Sequence, residues 1–470
     1  PRTQPLRPRP AIVSRDGRGI SSPFPDATPF PPMPLDIAPF QARRAQLLAT
    51  MQAAGGGVAI IPTAPERFRN RDTTYAYRFD SYFYYLTAFR EPEAVLVLVA
   101  GDTPKSILFC RTKDMEREIW DGYRFGPDAA REAFGFDEAR PIAELDEQLG
   151  TLLANQPAVF HSVGYEPDWD RRVADALNRV RAQARTGCHA PGQIRDVRSL
   201  IDDMRLVKDA AEIATLRRAA DISAGGHIRA MRAARPGVFE YEVEAELIHE
   251  FRRHGSQAPA YNSIVASGPN ACVLHYVEND RQLADGDLLL IDAGCELDGY
   301  ASDITRSFPV SGRFSGPQKA VYELVLAAQA AAIAEIRPGA SWNAGHDAAT
   351  RVLAQGFIDL GLLAGSLDAA LETGTYRQFY MHRTGHWLGL DVHDAGEYKI
   401  GGEWRNLVPG NVLTVEPGAY IRPADGVPEA FWNIGIRIED DALVTADGCD
   451  IITHATPKSV ADIEAVMAER

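Results

Sequence analysis

Cysteine is scarce in this chain. Five residues, Cys110, Cys188, Cys272, Cys295 and Cys449, stand far apart, form no CxxC pair and are odd in number. That pattern does not make a disulfide framework and suits a reducing compartment, with the cytoplasm as the default. Long apolar runs are missing as well. The longest, Ala94–Ala100 (AVLVLVA), has the length of a buried strand and falls far short of the roughly 20 residues that span a bilayer. Basic residues are outnumbered, 49 Lys and Arg against 64 Asp and Glu, for a net charge of -15. Such a balance argues against a nucleic-acid or acidic-membrane partner, since phosphate binding needs a basic surface. Three catalytic signatures are absent too. Without a GxSxG elbow, a Walker A loop or a GxGxxG after a strand, serine hydrolase, NTPase and dinucleotide enzyme readings lack support.

What remains is an ordinary soluble composition, 45% hydrophobic and 24% charged, in a chain too long for one core, so two or three domains are expected. Residues 1–38 are rich in proline, carry arginine at 2, 7, 9, 15 and 18, and lack apolar periodicity, which predicts an extended arm. No apolar h-region marks this arm as a secretory signal. Residues 39–202 read as a compact α/β domain. It holds a helix near Phe40–Gln52, strands at Val58–Ile61, Ala94–Val99 and Ser106–Phe109, and helices near Ala129–Phe134 and Trp169–Ala184. The aromatic run Tyr82-Phe83-Tyr84-Tyr85 is read as core. Residues 203–470 form a second domain, opened by a helical pattern from Lys208 to Ala234 that stops at Arg235-Pro236-Gly237.

That stop recurs at Arg337-Pro338-Gly339, after the apolar helix Val321–Ile336. A matching strand follows each repeat. Gly286-Asp-Leu-Leu-Leu-Ile-Asp292-Ala-Gly294 lines up with Gly410-Asn-Val-Leu-Thr-Val-Glu416-Pro-Gly418. Asp303 then lies nine residues before Gly312, and Glu439 nine before Gly448. Each half therefore offers one carboxylate at a strand end and a second on the following strand. Two pseudo-symmetric hairpins would set four carboxylates face to face, an internal duplication that points at a site.

The segments around these acids are apolar, and in GIRIED the alternation of a strand turns Ile436 and Ile438 one way, Arg437 and Glu439 the other. Clustered carboxylates in such surroundings need compensation. Two divalent ions would balance four negative charges and leave room for a bridging hydroxide. Oxygen-rich ligation with one imidazole suits Mn²⁺ or Co²⁺ better than a structural zinc. Imidazole candidates lie in His382-Arg-Thr-Gly-His386-Trp-Leu-Gly-Leu-Asp-Val-His393, three histidines in twelve residues. Taken singly, Asp292 could just end a strand, and Glu439 could pair with Arg437 or join a solvated run with Asp440 and Asp441. It is the repeat that makes them equivalent. His249-Glu250-Phe-Arg-Arg-His254 imitates a zincin motif with one residue too many, which puts its histidines on different helix faces. Glu250 is expected on a solvated face, and His161, His189, His346 and His454 as structural or surface residues.

Together, LLLIDAGCELDGYASDITRSFPV, MHRTGHWLGLDVHD, LTVEPGAYI and GIRIEDD resemble the Xaa-Pro aminopeptidases (aminopeptidase P), metallopeptidases of the pita-bread, creatinase-like fold. The similarity runs from about residue 40 to the C-terminus. It implies an α/β chain with a creatinase-like N-terminal domain and a catalytic domain with internal pseudo-two-fold symmetry. It also implies a dinuclear centre, most often manganese with cobalt or zinc possible, held by Asp292, Asp303, His386, Glu416 and Glu439, of which Asp303 and Glu439 bridge. On the same resemblance Glu416 is the catalytic proton carrier, His275, His382 and His393 are catalytic and substrate-site histidines, and Arg437 and Tyr420 line or buttress the site. Peptides with proline second are the implied partners, and a dimer or tetramer the implied assembly. One departure is visible, Arg383-Thr384-Gly385 where many relatives have Gly-Leu-Ser or Gly-Ile-Gly. The rival readings are a prolidase, which shares fold and ligands, and a non-catalytic pita-bread scaffold, which would have lost ligands. Methionine aminopeptidase fits less well for want of an N-domain, and creatinase, which is metal-free, fails on the ligands.

Overall fold

The computed structural model describes residues 36–469, so the proline-rich segment falls, apart from its last three residues, outside the described residues. Helix α1 (Ala38–Ala53) opens the N-terminal half and buries Phe40, Leu47, Leu48 and Met51. Against it stands a six-stranded sheet ordered β4-β3-β2-β1-β5-β6. Its strands are β1 (Gly57–Pro62), β2 (Val95–Ala100), β3 (Lys105–Cys110), β4 (Glu138–Pro141), β5 (Ala158–Phe160) and β6 (Gln193–Arg195). β2 is apolar on both faces because both faces are covered, and all six of its residues are buried. The covering helices are α2 (Ser81–Thr87), α3 (Met115–Asp121), α4 (Pro127–Phe134), α5 (Leu145–Leu153) and α6 (Pro167–Arg181), followed by α7 (Arg198–Leu206). Phe83, Tyr84 and Tyr85 of the aromatic run lie in α2 and are buried, as the core reading requires. α3 is the exception among these helices, with no buried residue.

The C-terminal half starts with α8 (Ala210–Ala233), whose first turn is closed by a capping box between Asp209 and Glu212. α9 (Glu240–Arg253), α10 (Gly316–Ala334), α11 (Ala344–Asp359), α12 (Leu367–Thr373) and α13 (Val460–Ala468) complete the helical cover. Beneath it lie β7 (Ala258–Pro259), β8 (Ile264–Ser267), β9 (Leu288–Asp292), β10 (Cys295–Leu297), β11 (Tyr300–Ala301) and β12 (Thr305–Pro309) of the first repeat. The second repeat supplies β15 (Val412–Val415), β16 (Gly418–Ile421), β17 (Ile434–Arg437), β18 (Asp440–Val444) and β19 (Cys449–Ile451), after a small hairpin of β13 (Lys399–Ile400) and β14 (Glu403–Trp404).

Both repeats are long bent hairpins, and their glycines explain the matching motif. Gly286 and Gly410 turn into the strand with φ of +85° and +92°, a conformation that costs other residues dearly. Gly294, just past the first carboxylate, allows the return strand to close in, since a Cβ there would lie 1.7 Å from the Ser302 carbonyl oxygen. The duplication is not exact in register. Asp292 stands opposite Thr305, so continuing that ladder brings Asp303 opposite Gly294. In the second repeat Val415 stands opposite Asp440, which brings Glu439 opposite Glu416.

Three readings need correction. Asp303 and Glu439 occupy extended junctions just ahead of β12 and β18, not the strands themselves. Asp440 and Asp441 are fully buried, so the solvated run does not exist. Asp440 binds Arg306 and Lys458, while Asp441 accepts the backbone N–H of Asp303 at 3.1 Å. Glu250 is also not on a solvated face, being mostly buried and ion-paired with Arg229 and His254.

Candidate active site

All ten residues singled out for the site lie in or against one cavity of about 530 Å³. Nine of them line it, and Tyr420 sits directly behind, its hydroxyl on His382 and Arg437. The inner end is acidic. Atoms of Asp303, His386 and Glu439 lie within 4.8 Å of one another, and all three residues are buried. His386 Nε2 is 3.4 Å from Asp303 and 3.7 Å from Glu416. Its Nδ1 donates to the Trp387 carbonyl at 3.0 Å, which leaves Nε2 facing the carboxylates, able to ligate an ion that displaces its proton.

Electrostatics shows what this cluster lacks. Burial, with the nearby charges of Asp303, Glu416 and Asp292, drives the Glu439 carboxyl well above its usual range. Burial pushes Glu416 up to about 7 against the opposing pull of His386 and Arg437. Asp303 is raised by burial and by Asp292. Burial alone would depress His386, but its hydrogen bond to Asp303 and the charge of Glu416 lift it to about 9. Two carboxylates under 4.8 Å apart repel by roughly 3–4 kcal/mol at an effective dielectric of ~20. The only arginine in the cluster, Arg437, is committed to Asp292 at 2.6 Å. Four carboxylates, one spent arginine and one imidazole whose Nε2 faces the acids form a donor set that fits two divalent cations.

Further hydrogen bonds hold these side chains in place. Arg437 donates to Thr305 at 3.1 Å and to the Tyr420 hydroxyl at 2.9 Å. Thr305 in turn donates to Glu439 at 2.7 Å. The Tyr420 hydroxyl donates to His382 Nε2 at 2.8 Å, and His382 Nδ1 donates to the Arg383 carbonyl at 2.7 Å. Both nitrogens of His382 are therefore engaged within the protein. By contrast His275 and His393 are exposed on the cavity wall, with the His393 ring centroid 4.1 Å from that of His386. Burial and the neighbouring His386 lower His393 to about 4, so it is neutral at physiological pH.

Some contributors carry no signal in the sequence. The Tyr261 hydroxyl reaches Asp292 at 2.6 Å and also Asp303, from a loop without motif or repeat. His346 gains a companion, since its Nδ1 is 2.9 Å from the Thr384 hydroxyl, and the Thr384 carbonyl accepts the Glu416 N–H at 2.8 Å. Gly385 is forced by the same crowding, because a Cβ there would lie 2.1 Å from the Thr414 carbonyl oxygen.

Comparison with known proteins agrees with this geometry. Residues 214–446 match the model of metallopeptidase family M24 and residues 40–160 that of the aminopeptidase P N-terminal domain. The chain is 46% identical over 432 residues to the Xaa-Pro aminopeptidase of Escherichia coli K12, covering 91% of this chain and 97% of that protein. The chain belongs to the aminopeptidase P branch of family M24. Its fold is that family's, an aminopeptidase P N-terminal domain followed by a pita-bread catalytic domain. Aminopeptidase PepP of Pseudomonas aeruginosa superposes with a TM-score of 0.91 at 51% identity, over 93% of this chain and 98% of that one. A zinc-substituted E. coli aminopeptidase P in complex with product superposes at 0.90 with 45% identity, over 93% and 99%. M24 metallopeptidases bind divalent metals, as the donor set here demands. Among the described residues no helix is long and apolar enough to cross a membrane.

Proposed function

We infer that this chain is a metal-dependent aminopeptidase that hydrolyses the bond between the N-terminal residue of a peptide and a following proline. The observation that carries the reading is the convergence of Asp292, Asp303, His386, Glu416 and Glu439 at the inner end of one cavity. These five residues would hold two ions, and manganese is the metal we propose, with cobalt or zinc as alternatives. When bound, such ions would supply Lewis acidity and a water acidic enough to ionise near neutral pH.

The chain's own groups do the rest. Glu416 takes the proton of the attacking water and delivers it to the departing proline nitrogen. That nitrogen belongs to a tertiary amide, so its protonation is what lets the bond break. His393 and His275, exposed on the wall, donate to the developing oxyanion and to the proline carbonyl. Tyr420 and Arg437 buttress His382 and Asp292. The free ammonium of the substrate is drawn to the acidic inner end, which restricts cleavage to the first bond.

We further propose a division at residues 202 and 203 between N-terminal and catalytic domains, a cytoplasmic location and a homo-oligomer. The unpaired cysteines support the location. The exposed Met115, Ile119 and Trp120 of α3 support the oligomer.

Hydrolysis of Ala-Pro and Ala-Pro-Ala-Ala, with Mn²⁺ and then with chelator, tests the reading. Metal-dependent release of alanine from the tetrapeptide is expected. Cleavage of the dipeptide alone would instead define a prolidase, and cleavage of neither a scaffold.

A further inference from the structure

The cavity is electrically polarised along its depth. Its inner end holds the buried carboxylates, whereas the exposed part of its wall carries His275, His393 and Arg383. Arg383 is exposed on that wall and stands as a permanent positive charge beside the opening. The other arginine of the lining, Arg437, is buried and bound to Asp292.

Arg383 is held in place without being neutralised. Its guanidinium donates to the Asn343 side chain at the start of α11 and lies over the Trp404 ring, 4.7 Å from the centroid. Lys399 packs on the same ring at 4.3 Å, so the hairpin of β13 and β14 adds a second cation to this lip. Among the described residues no carboxylate lies within ion-pair distance of Arg383. An amide and an indole face orient a guanidinium while leaving its charge free, and most of its N–H groups unspent.

A peptide entering with its ammonium toward the buried acids must leave its downstream residues at the opening. We propose that Arg383 makes the enzyme selective for peptides that carry a carboxylate downstream of the proline, either an acidic side chain or the peptide's own C-terminus. The proposal rests on the aminopeptidase reading above and names a substrate class for it. An exposed cation that meets one carboxylate is expected to favour it by about three- to tenfold in kcat/KM.

The test uses the metal-loaded full chain and three peptides. Ala-Pro-Ala-Ala amide is uncharged downstream, Ala-Pro-Ala-Ala offers the C-terminal carboxylate, and Ala-Pro-Glu-Ala amide offers the side chain. For the wild type one or both charged peptides should exceed the amide by that factor, and raising the salt should compress the ratio. Arg383→Ala should bring the ratio close to one, and Arg383→Lys should retain part of it. Whichever charged peptide loses its advantage identifies the source of the carboxylate. Equal wild-type rates on all three, a ratio unchanged in Arg383→Ala, or a loss in both variants that leaves the ratio intact would each overturn the proposal alone. Failure to release alanine from any peptide would overturn the aminopeptidase reading and this proposal with it.

Discussion

Arg306 of the first repeat and Asp440 of the second form a fully buried ion pair, Nη2 to Oδ1 at 2.7 Å, that ties the two hairpins together behind the carboxylates. Every N–H of the guanidinium is used, since it also donates to the carbonyls of Thr305, Glu439, Thr456 and Pro457. Removing the arginine leaves the charge of the buried Asp440 to Lys458 and strips a donor from four carbonyls. Arg306→Met should therefore cost about 3–5 kcal/mol of stability, read as a lower denaturant midpoint. Metal content should fall with it, because the Glu439 backbone loses its anchor. An unchanged midpoint would show that the seam between the repeats does not depend on this pair.

Glu416 and His386 should fail in different ways. Glu416→Gln keeps an oxygen donor but cannot carry a proton, and should lose about 10²–10⁴ in kcat with most metal retained. His386→Ala removes the imidazole and should purify with less metal by elemental analysis. Near-normal turnover in the first, or full occupancy in the second, would take that residue out of its assigned role.

Tyr261 is predicted to tune the centre through Asp292 and Asp303. Tyr261→Phe removes the hydroxyl that both carboxylates share, and losing a hydrogen bond that orients a metal-binding carboxylate costs about 10–100-fold in metal affinity. Competition with a chelator measures this directly. Unaltered affinity would make the hydroxyl a spectator.

His227 gives the fold a sensitivity to acid. It is completely buried, and its Nε2 donates to the Ala293 carbonyl at 2.9 Å. Burial is the main reason its pKa falls from 6.5 to about 4. Below pH 6.5 the unfolded chain binds a proton that the folded chain refuses, so stability declines as pH drops through that interval. The full loss, reached near pH 4, is about 3 kcal/mol. Urea unfolding between pH 7 and 5 should show a shallower decline for His227→Gln than for the wild type. Comparing the two cancels the carboxylates, whose raised values act in the opposite direction. Parallel declines would remove His227 from the account.

The parts of this molecule that were legible in the sequence are those where one physical demand repeats. The buried strand Val95–Ala100 shows itself as an apolar run, and the carboxylate strands show themselves twice, each between a turning glycine and a crowded one. Tyr261, Asp441 and His346 were not legible because each acts through contacts with residues distant in sequence, which leave no local period. The solvated alternative for Asp440 and Asp441 fails for a related reason. Adjacent acids look like a wet surface until Arg306, Lys458 and the Asp303 amide, all distant in sequence, are placed around them. The junction positions of Asp303 and Glu439 were missed because extended backbone continues past the last ladder bond.

The unequal registers of the two hairpins also say how the repeats have been able to diverge. Asp303 faces Gly294, two positions beyond Asp292, while Glu439 faces Glu416 itself. Side chains alternate with a period of two, so a slip of one residue would have turned an acid out of the cavity, whereas a slip of two leaves it inside. Descendants of one ancestral hairpin could therefore drift past each other only in even steps, and the difference seen between these halves is the smallest such step.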